Sequence, residues 1–475
     1  MGIFGDAEFA NASDHHHAKQ AGDSANRQTL SSISVQRSLK LFQQDAIKAA
    51  QRLIDETPPA DRSRLQYEFF SEQRVRGTDQ TNTPSFCAVL AWCEPWGIKQ
   101  GEMSQPQLEA MHKLLSTVLS SGGYHTFMTL MNRHQMLGEL EDVATTSLIR
   151  EIIDACPDIR GDTLAELLEK CDDVRSTDRY TGIGGAFKPE PVTGRYIISW
   201  PWDPPGLVIR RQQFDNFSIA IFGELGAEDW GLRFEGHHVT FNVHFYNDPQ
   251  TGEILVSSTP AFYGSSPIIV PEDPGFDNST NWNWTRGQTV LFREVEQMRA
   301  FWLALPERLR EDAFIGSENF YQDGVLRVRT FPPFLLSSLD PVIDTAKIDQ
   351  FPNTTIKASR LPDEAKWRLE EVLRSYLGSM PAAVAAQYQE RISKTLRGNG
   401  EITMAWAGGD LDDINSQHAS YIKVAGMLLE FQQSNQFTVQ DGTAFESNHL
   451  HSALRDLQNP WDFDPIDRHY QQYEH

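Results

Sequence analysis

A net charge of −23 over 475 residues argues against a nucleic-acid partner, because phosphate backbones are held mainly by lysine and arginine. A hydrophobic fraction of 40% and an aromatic fraction of 11% supply an ample core, which excludes disorder along the whole chain. No run long and apolar enough to span a membrane occurs, so no membrane partner is expected. The start, MGIFGDAEF, has neither the basic nor the apolar region of a secretory leader. The four cysteines (Cys87, Cys93, Cys156 and Cys171) are too few for a disulfide framework. They are expected to be unpaired thiols in a cytoplasmic protein.

Residues 1–33 are polar, aperiodic and rich in Ala, Ser and Asp, and read as a disordered arm carrying His15, His16 and His17. A helical region follows over residues 34–180. Leu39, Phe42, Ile47, Ala50 and Ile54 fall near one face until Pro58-Pro59 stops the run. A second helix is expected from Pro106 to Ser121, capped by Ser104 and ended by Gly122-Gly123. Helical patterns resume over 128–156 and 163–171.

The texture changes after Gly182. Runs such as WGLRFEGHHVTFNVHFYN and GEILVSSTPAFYG, separated by Gly, Pro, Asp and Asn, read as antiparallel strands. Asn247 to Gly252 forms a hairpin loop between two of them. Helices return near 287–305 and over 363–397 with a break at Pro381, and a last β-rich stretch spans 402–451. Helices and strands are segregated rather than alternating. The expected fold is therefore α+β, with a mainly helical N-terminal part packed on a large antiparallel sheet over 181–475 and both forming one integrated domain.

The chemistry concentrates in histidines. In Gly236-His-His-Val-Thr-Phe-Asn-Val-His-Phe245, alternation puts His238, Thr240, Asn242 and His244 on one face. The other face then carries His237, Val239, Phe241, Val243 and Phe245. His449-x-His451 likewise places two imidazoles on one side of an extended segment. Such a pair can chelate one ion, with His418 or His238 completing a three-histidine site. No phosphate-binding loop, dinucleotide fingerprint, zinc-protease helix or nucleophile elbow is present.

Together these segments resemble a known family. Trp230-Gly-Leu-Arg-Phe-Glu-Gly-His-His-Val-Thr-Phe-Asn242, Thr259-Pro-Ala-Phe-Tyr-Gly264, Ala405-Trp-Ala-Gly408 with His418 and Tyr421, and Asn448-His-Leu-His-Ser452 with Arg455-Asp456 follow one another in order. That order resembles the family catalogued as domain of unknown function 3500. The resemblance implies that His237, His238, His418, His449 and His451 belong to a shared pattern. His125, His134 and His244 match none of its motif positions and carry no weight here.

Imidazole ligands without an obvious carboxylate favour one copper or iron ion, with zinc as the alternative. The expected function is a metal-dependent oxidoreductase acting on a small molecule. Asn242 would support the ligands, Arg455 would bind an acidic group, and Tyr263 and Tyr421 would relay protons or electrons. The alternatives are a zinc hydrolase or lyase, for which Glu235 lies on the wrong strand parity to act as base, and a metal-binding protein without activity.

Overall fold

The computed structural model describes residues 20–71, 74, 96–157, 171, 187–189, 196–198, 214–236, 238–259, 261–270, 285–316, 321–322, 325–326, 353–434 and 448–458. The first helix, α1 (Gln20–Glu56), begins inside the stretch expected to be an arm. His15 to His17 lie outside the described residues. After a short α2 (Arg62–Leu65), α3 (Gln105–Val118) starts as expected, with Ser104 and Gln107 forming a reciprocal capping box. The Gly122-Gly123 pair does not end this helix. It lies in the first turn of the next one, α4 (Ser121–Ala155), whose N-cap Ser120 accepts a hydrogen bond from the Gly123 N–H at 2.8 Å. Glycine is needed there for packing, since a Cβ on Gly123 would sit 2.2 Å from the Ser379 carbonyl oxygen.

Beyond α4, Cys156 and Cys171 form a disulfide, which corrects the expectation of unpaired thiols. Two cysteines fifteen residues apart in sequence can meet wherever the chain doubles back, and spacing alone gives no sign of it. Cys87 and Cys93 lie outside the described residues.

The C-terminal helices are α5 (Phe292–Leu303), α6 (Glu307–Asp312), α7 (Asp363–Leu377) and α8 (Ala382–Arg397), with Pro381 at the break between the last two. The sheet strands are β1 (Gln66–Tyr67), β2 (Ile98–Lys99), β3 (Ser218–Phe222), β4 (Asp229–Gly236), β5 (Val239–Asn247), β6 (Ile254–Ser257) and β7 (Ala261–Ser265). They continue with β8 (Thr354–Lys357), β9 (Glu401–Gly408), β10 (His418–Val424), β11 (Met427–Ser434) and β12 (His449–Asp456). All join one 12-stranded sheet, ordered β1-β3-β4-β5-β7-β12-β11-β10-β9-β8, with β2 beside β3 and β6 beside β5. Only the β1–β3 pair among them is parallel, so the sheet is mixed but overwhelmingly antiparallel. The fold is α+β, and one continuous apolar core runs from α1 through both halves of the sheet to α8. No helix among the described residues is long and apolar enough to cross a membrane.

Register sorts the sheet into two unlike faces, because directly paired residues point the same way and neighbours alternate. One face carries Trp406, Ser420, Phe431, Ser452 and Tyr263, and the helices cover it. Trp302 donates from Nε1 to Ser420 Oγ at 2.7 Å, and Phe127 and Tyr376 pack on the Tyr263 ring. The other face carries Arg233, Glu235, Thr240, Phe262, His451, Gln432, Glu430, Tyr421 and Arg455. It is polar, yet each of these side chains is buried. Buried polar groups are costly unless paired, so this face is a place where structure alone does not explain the residue choice.

Candidate metal centre

Three histidines converge at one end of the polar face. His449 and His451 project from β12 on the same side, as the H-x-H spacing requires. His238 comes from the tight connection between Gly236 and Val239, which pair as the last residue of β4 and the first of β5. Each of the three can offer a ring nitrogen within 4.8 Å of the others. His449 Nε2 and His451 Nε2 are 3.0 Å apart. Two nitrogens bound tetrahedrally at about 2.0–2.1 Å stand roughly 3.3 Å from each other, so this separation suits a shared ion with little adjustment. His238 and His451 are buried and His449 is half-buried, which gives the cluster a closed floor and a more open side.

Neighbouring residues hold this geometry. The Gly264 N–H donates to the His238 carbonyl at 2.7 Å, joining the connection to β7. A Cβ on Gly264 would lie 2.9 Å from His451 Cδ2 and 3.0 Å from His238 Cδ2, so the missing side chain is what lets these rings approach. Asn448, fully enclosed just before His449, accepts at Oδ1 from the N–H groups of Ile268 and Ile269 at 2.9 and 2.8 Å. It also donates from Nδ2 to the Ile269 carbonyl at 3.0 Å. These three bonds tie the start of β12 to the segment after β7 and fix where His449 points. Phe262 packs against His451 with ring centroids 5.4 Å apart.

His418 is not part of this cluster. Its register partner is Gln433, whereas His451 pairs with Gln432 and His449 with Ser434, so His418 points to the helix-covered side of the sheet. There it shares a 2.6 Å hydrogen bond with Ser420 and stacks on Trp406. Burial, followed by the nearby Arg299 charge, holds its pKa well below the usual histidine value, as for a neutral core imidazole. His237 lies outside the described residues.

Tyr263 likewise faces the helices, enclosed between Phe127 and Tyr376, and burial pushes its phenol upward in pKa. Tyr421, Arg455 and Asn242 do share the polar face with His451, but at a distance. Tyr421 is two strands away and Arg455 four residues along β12, roughly 10 Å or more in each case. Asn242, opposite Arg233, lies beyond Thr240 on β5. Glu235 does share the side of His451, contrary to the parity expectation, because it pairs with Thr240. Its carboxylate is 3.4 Å from the Arg233 guanidinium and both side chains are buried.

One neighbour had no motif to betray it. His134, buried on α4, meets His238 edge-on with ring centroids 5.5 Å apart, and packs the same way on Phe217. Among the described residues no carboxylate joins the three-nitrogen group. Neutral imidazoles leave the full charge of an ion uncompensated, which favours anionic ligands and acidifies bound water. The donor set fits a transition metal and does not select among zinc, copper, iron and nickel.

No curated protein and no solved structure matches the chain. A family model does, over residues 42–464, which takes in every strand and all three histidines of the cluster. The chain belongs to the family described as protein of unknown function (DUF3500).

Proposed function

We propose that His238, His449 and His451 bind one transition-metal ion and form the reactive centre of an oxidoreductase acting on a small molecule, with copper or iron as the metal. The observation that carries this reading is the convergence of three imidazoles around a side-chain-free Gly264, with His449 on the open side. Bound there, a redox-active ion would supply electron transfer and a position for an incoming ligand. The protein's own part is geometric. Asn448 holds His449, Gly264 makes room for His238 and His451, and Phe262 keeps water from one flank of His451.

A hydrolytic reading would need a carboxylate free to take a proton from water. Glu235, the carboxylate nearest to His238 in sequence, is instead engaged by Arg233 inside the protein, which favours the redox reading.

Elemental analysis of purified protein, compared with His449→Ala and His451→Ala, tests the proposal. Near-stoichiometric copper or iron that disappears from both variants is the expected result. Zinc lost in the same pattern would replace the redox chemistry with hydrolysis or elimination. A wild type that takes up no metal after reconstitution would end the metalloenzyme reading.

A further inference from the structure

Several guanidinium groups among the described residues are well provided for. Arg299 donates to the carbonyls of Asp410, Leu411, Asp413 and Ser416 and to Gln433 Oε1. Arg391 makes a two-pronged pair with Asp456 at 2.7 and 2.8 Å, and Arg233 lies against Glu235. Arg133 is served differently. It is 1% exposed, and its five N–H donors are served by one hydrogen bond, from Nη2 to the Gln288 carbonyl at 3.0 Å. Its Nε–H is enclosed with no acceptor, and no carboxylate pairs with it among the described residues. Burial lowers its pKa to about 10, which leaves it charged at neutral pH.

An enclosed cation without a counter-charge is strongly unfavourable for the fold, so a residue kept in that state implies an anion that arrives later. Two connections lead from Arg133 towards the three-histidine cluster. It precedes His134, whose ring meets His238. Its one acceptor, the Gln288 carbonyl, also receives the Val270 N–H at 3.0 Å. That segment is the one that Asn448 pins beside His449. In a chain of net charge −23, such a cation is also a local attraction for an anionic ligand.

We propose that Arg133 anchors an oxyanion of the small-molecule substrate, a carboxylate or phosphate group, beside the three-histidine centre. The inference rests on the metal-centre reading for what lies next to the anion. The anion site itself does not require the metal. The planar fork of arginine suits two-point contact with either group.

The test uses full-length protein, metal-stripped and metal-loaded, with sodium acetate and inorganic phosphate as probes against sodium chloride at matched ionic strength. Binding is read by calorimetry and by the shift in melting temperature, in wild type, Arg133→Met and Arg133→Gln. The Gln variant keeps a donor for the Gln288 carbonyl while removing the charge. At least one oxyanion is expected to bind and stabilise the stripped wild type. Its affinity should fall at least about tenfold in whichever variant folds, the lower range for losing a hydrogen bond to a charged group. Preference between acetate and phosphate identifies the group. In chloride, Arg133→Met should melt no lower than wild type, since it removes an uncompensated charge. Undiminished oxyanion binding in the variants, or none in the wild type, would overturn the assignment. So would variants that unfold in chloride, because Arg133 would then be a structural prop. Metal content measured on the same samples reports separately on the centre, so its failure would be visible without erasing the anion result.

Discussion

Replacing Gly264 by alanine adds one methyl group at the point where the centre is tightest. The new carbon would meet His451 Cδ2 at 2.9 Å, His238 Cδ2 at 3.0 Å and the His238 carbonyl oxygen at 3.3 Å. Carbon atoms in favourable contact stand about 3.5–4.0 Å apart, so each ring must retreat by roughly half an ångström or more. Overpacking of this kind costs about 1–3 kcal/mol in fold stability. The larger effect should be on the ligand set, because both displaced rings move away from the same methyl and His449 stays tied through Asn448. Disturbing the support of a metal ligand typically weakens binding about 10–100-fold. Competition with a chromophoric chelator measures that loss, and urea unfolding of the stripped protein measures the steric cost alone. Gly122→Ala is the control, since in the first turn of α4 its nearest neighbour would be Ser120 Oγ at 3.8 Å. Gly264→Ala protein that binds metal within twofold of wild type would refute the idea that this glycine sets the spacing of the rings.

Other perturbations separate the centre from the scaffold. His418 stays neutral in the folded state, well below its ordinary pKa, while in the unfolded chain it protonates near 6.5. The unfolded state therefore binds the extra proton below about pH 6.5, and the residue's contribution to stability is present above that pH and lost as pH falls. The limiting slope is about 1.4 kcal/mol per pH unit for one such group. His418→Gln should flatten this part of the urea-midpoint profile without changing metal content, and an unchanged profile would contradict the core assignment. Arg299→Met should strip the β9–β10 loop of its carbonyl partners and destabilise the fold by at least about 3 kcal/mol, seen as a lower urea midpoint. A midpoint equal to that of wild type would show that water replaces those bonds. Cys171→Ser opens a covalent loop of sequence separation 15 and should cost about 3 kcal/mol. Two titratable thiols at Cys156 and Cys171 in unreduced wild-type protein would rule the bridge out.

What could be read in the sequence follows from the range of each signal. His449 and His451 stand together because period-two alternation is local, and the capping of α3 by Ser104 and Gln107 is equally local. Whether His418 joins them depends on register across two strand pairs. A one-residue shift there carries a side chain from one face of the sheet to the other. His418 pairs with Gln433 and His451 with Gln432, and that single step decides between a core imidazole and a ligand. Tyr263 misses the centre for the same reason, one residue from Gly264, which does the opposite job by having no side chain. His134 reaches His238 from a helix, with Arg133 the residue before it, across a separation that no spacing rule encodes. No motif marks either residue, although both are buried and the His134 ring meets that of His238. An enclosed guanidinium with one hydrogen bond and a buried cluster of imidazoles around a glycine are both costly to a fold unless a partner completes them. The Gln288 carbonyl that Arg133 meets also bonds Val270, next to the Ile269 that Asn448 holds beside His449, so the proposed metal and anion are best tested together.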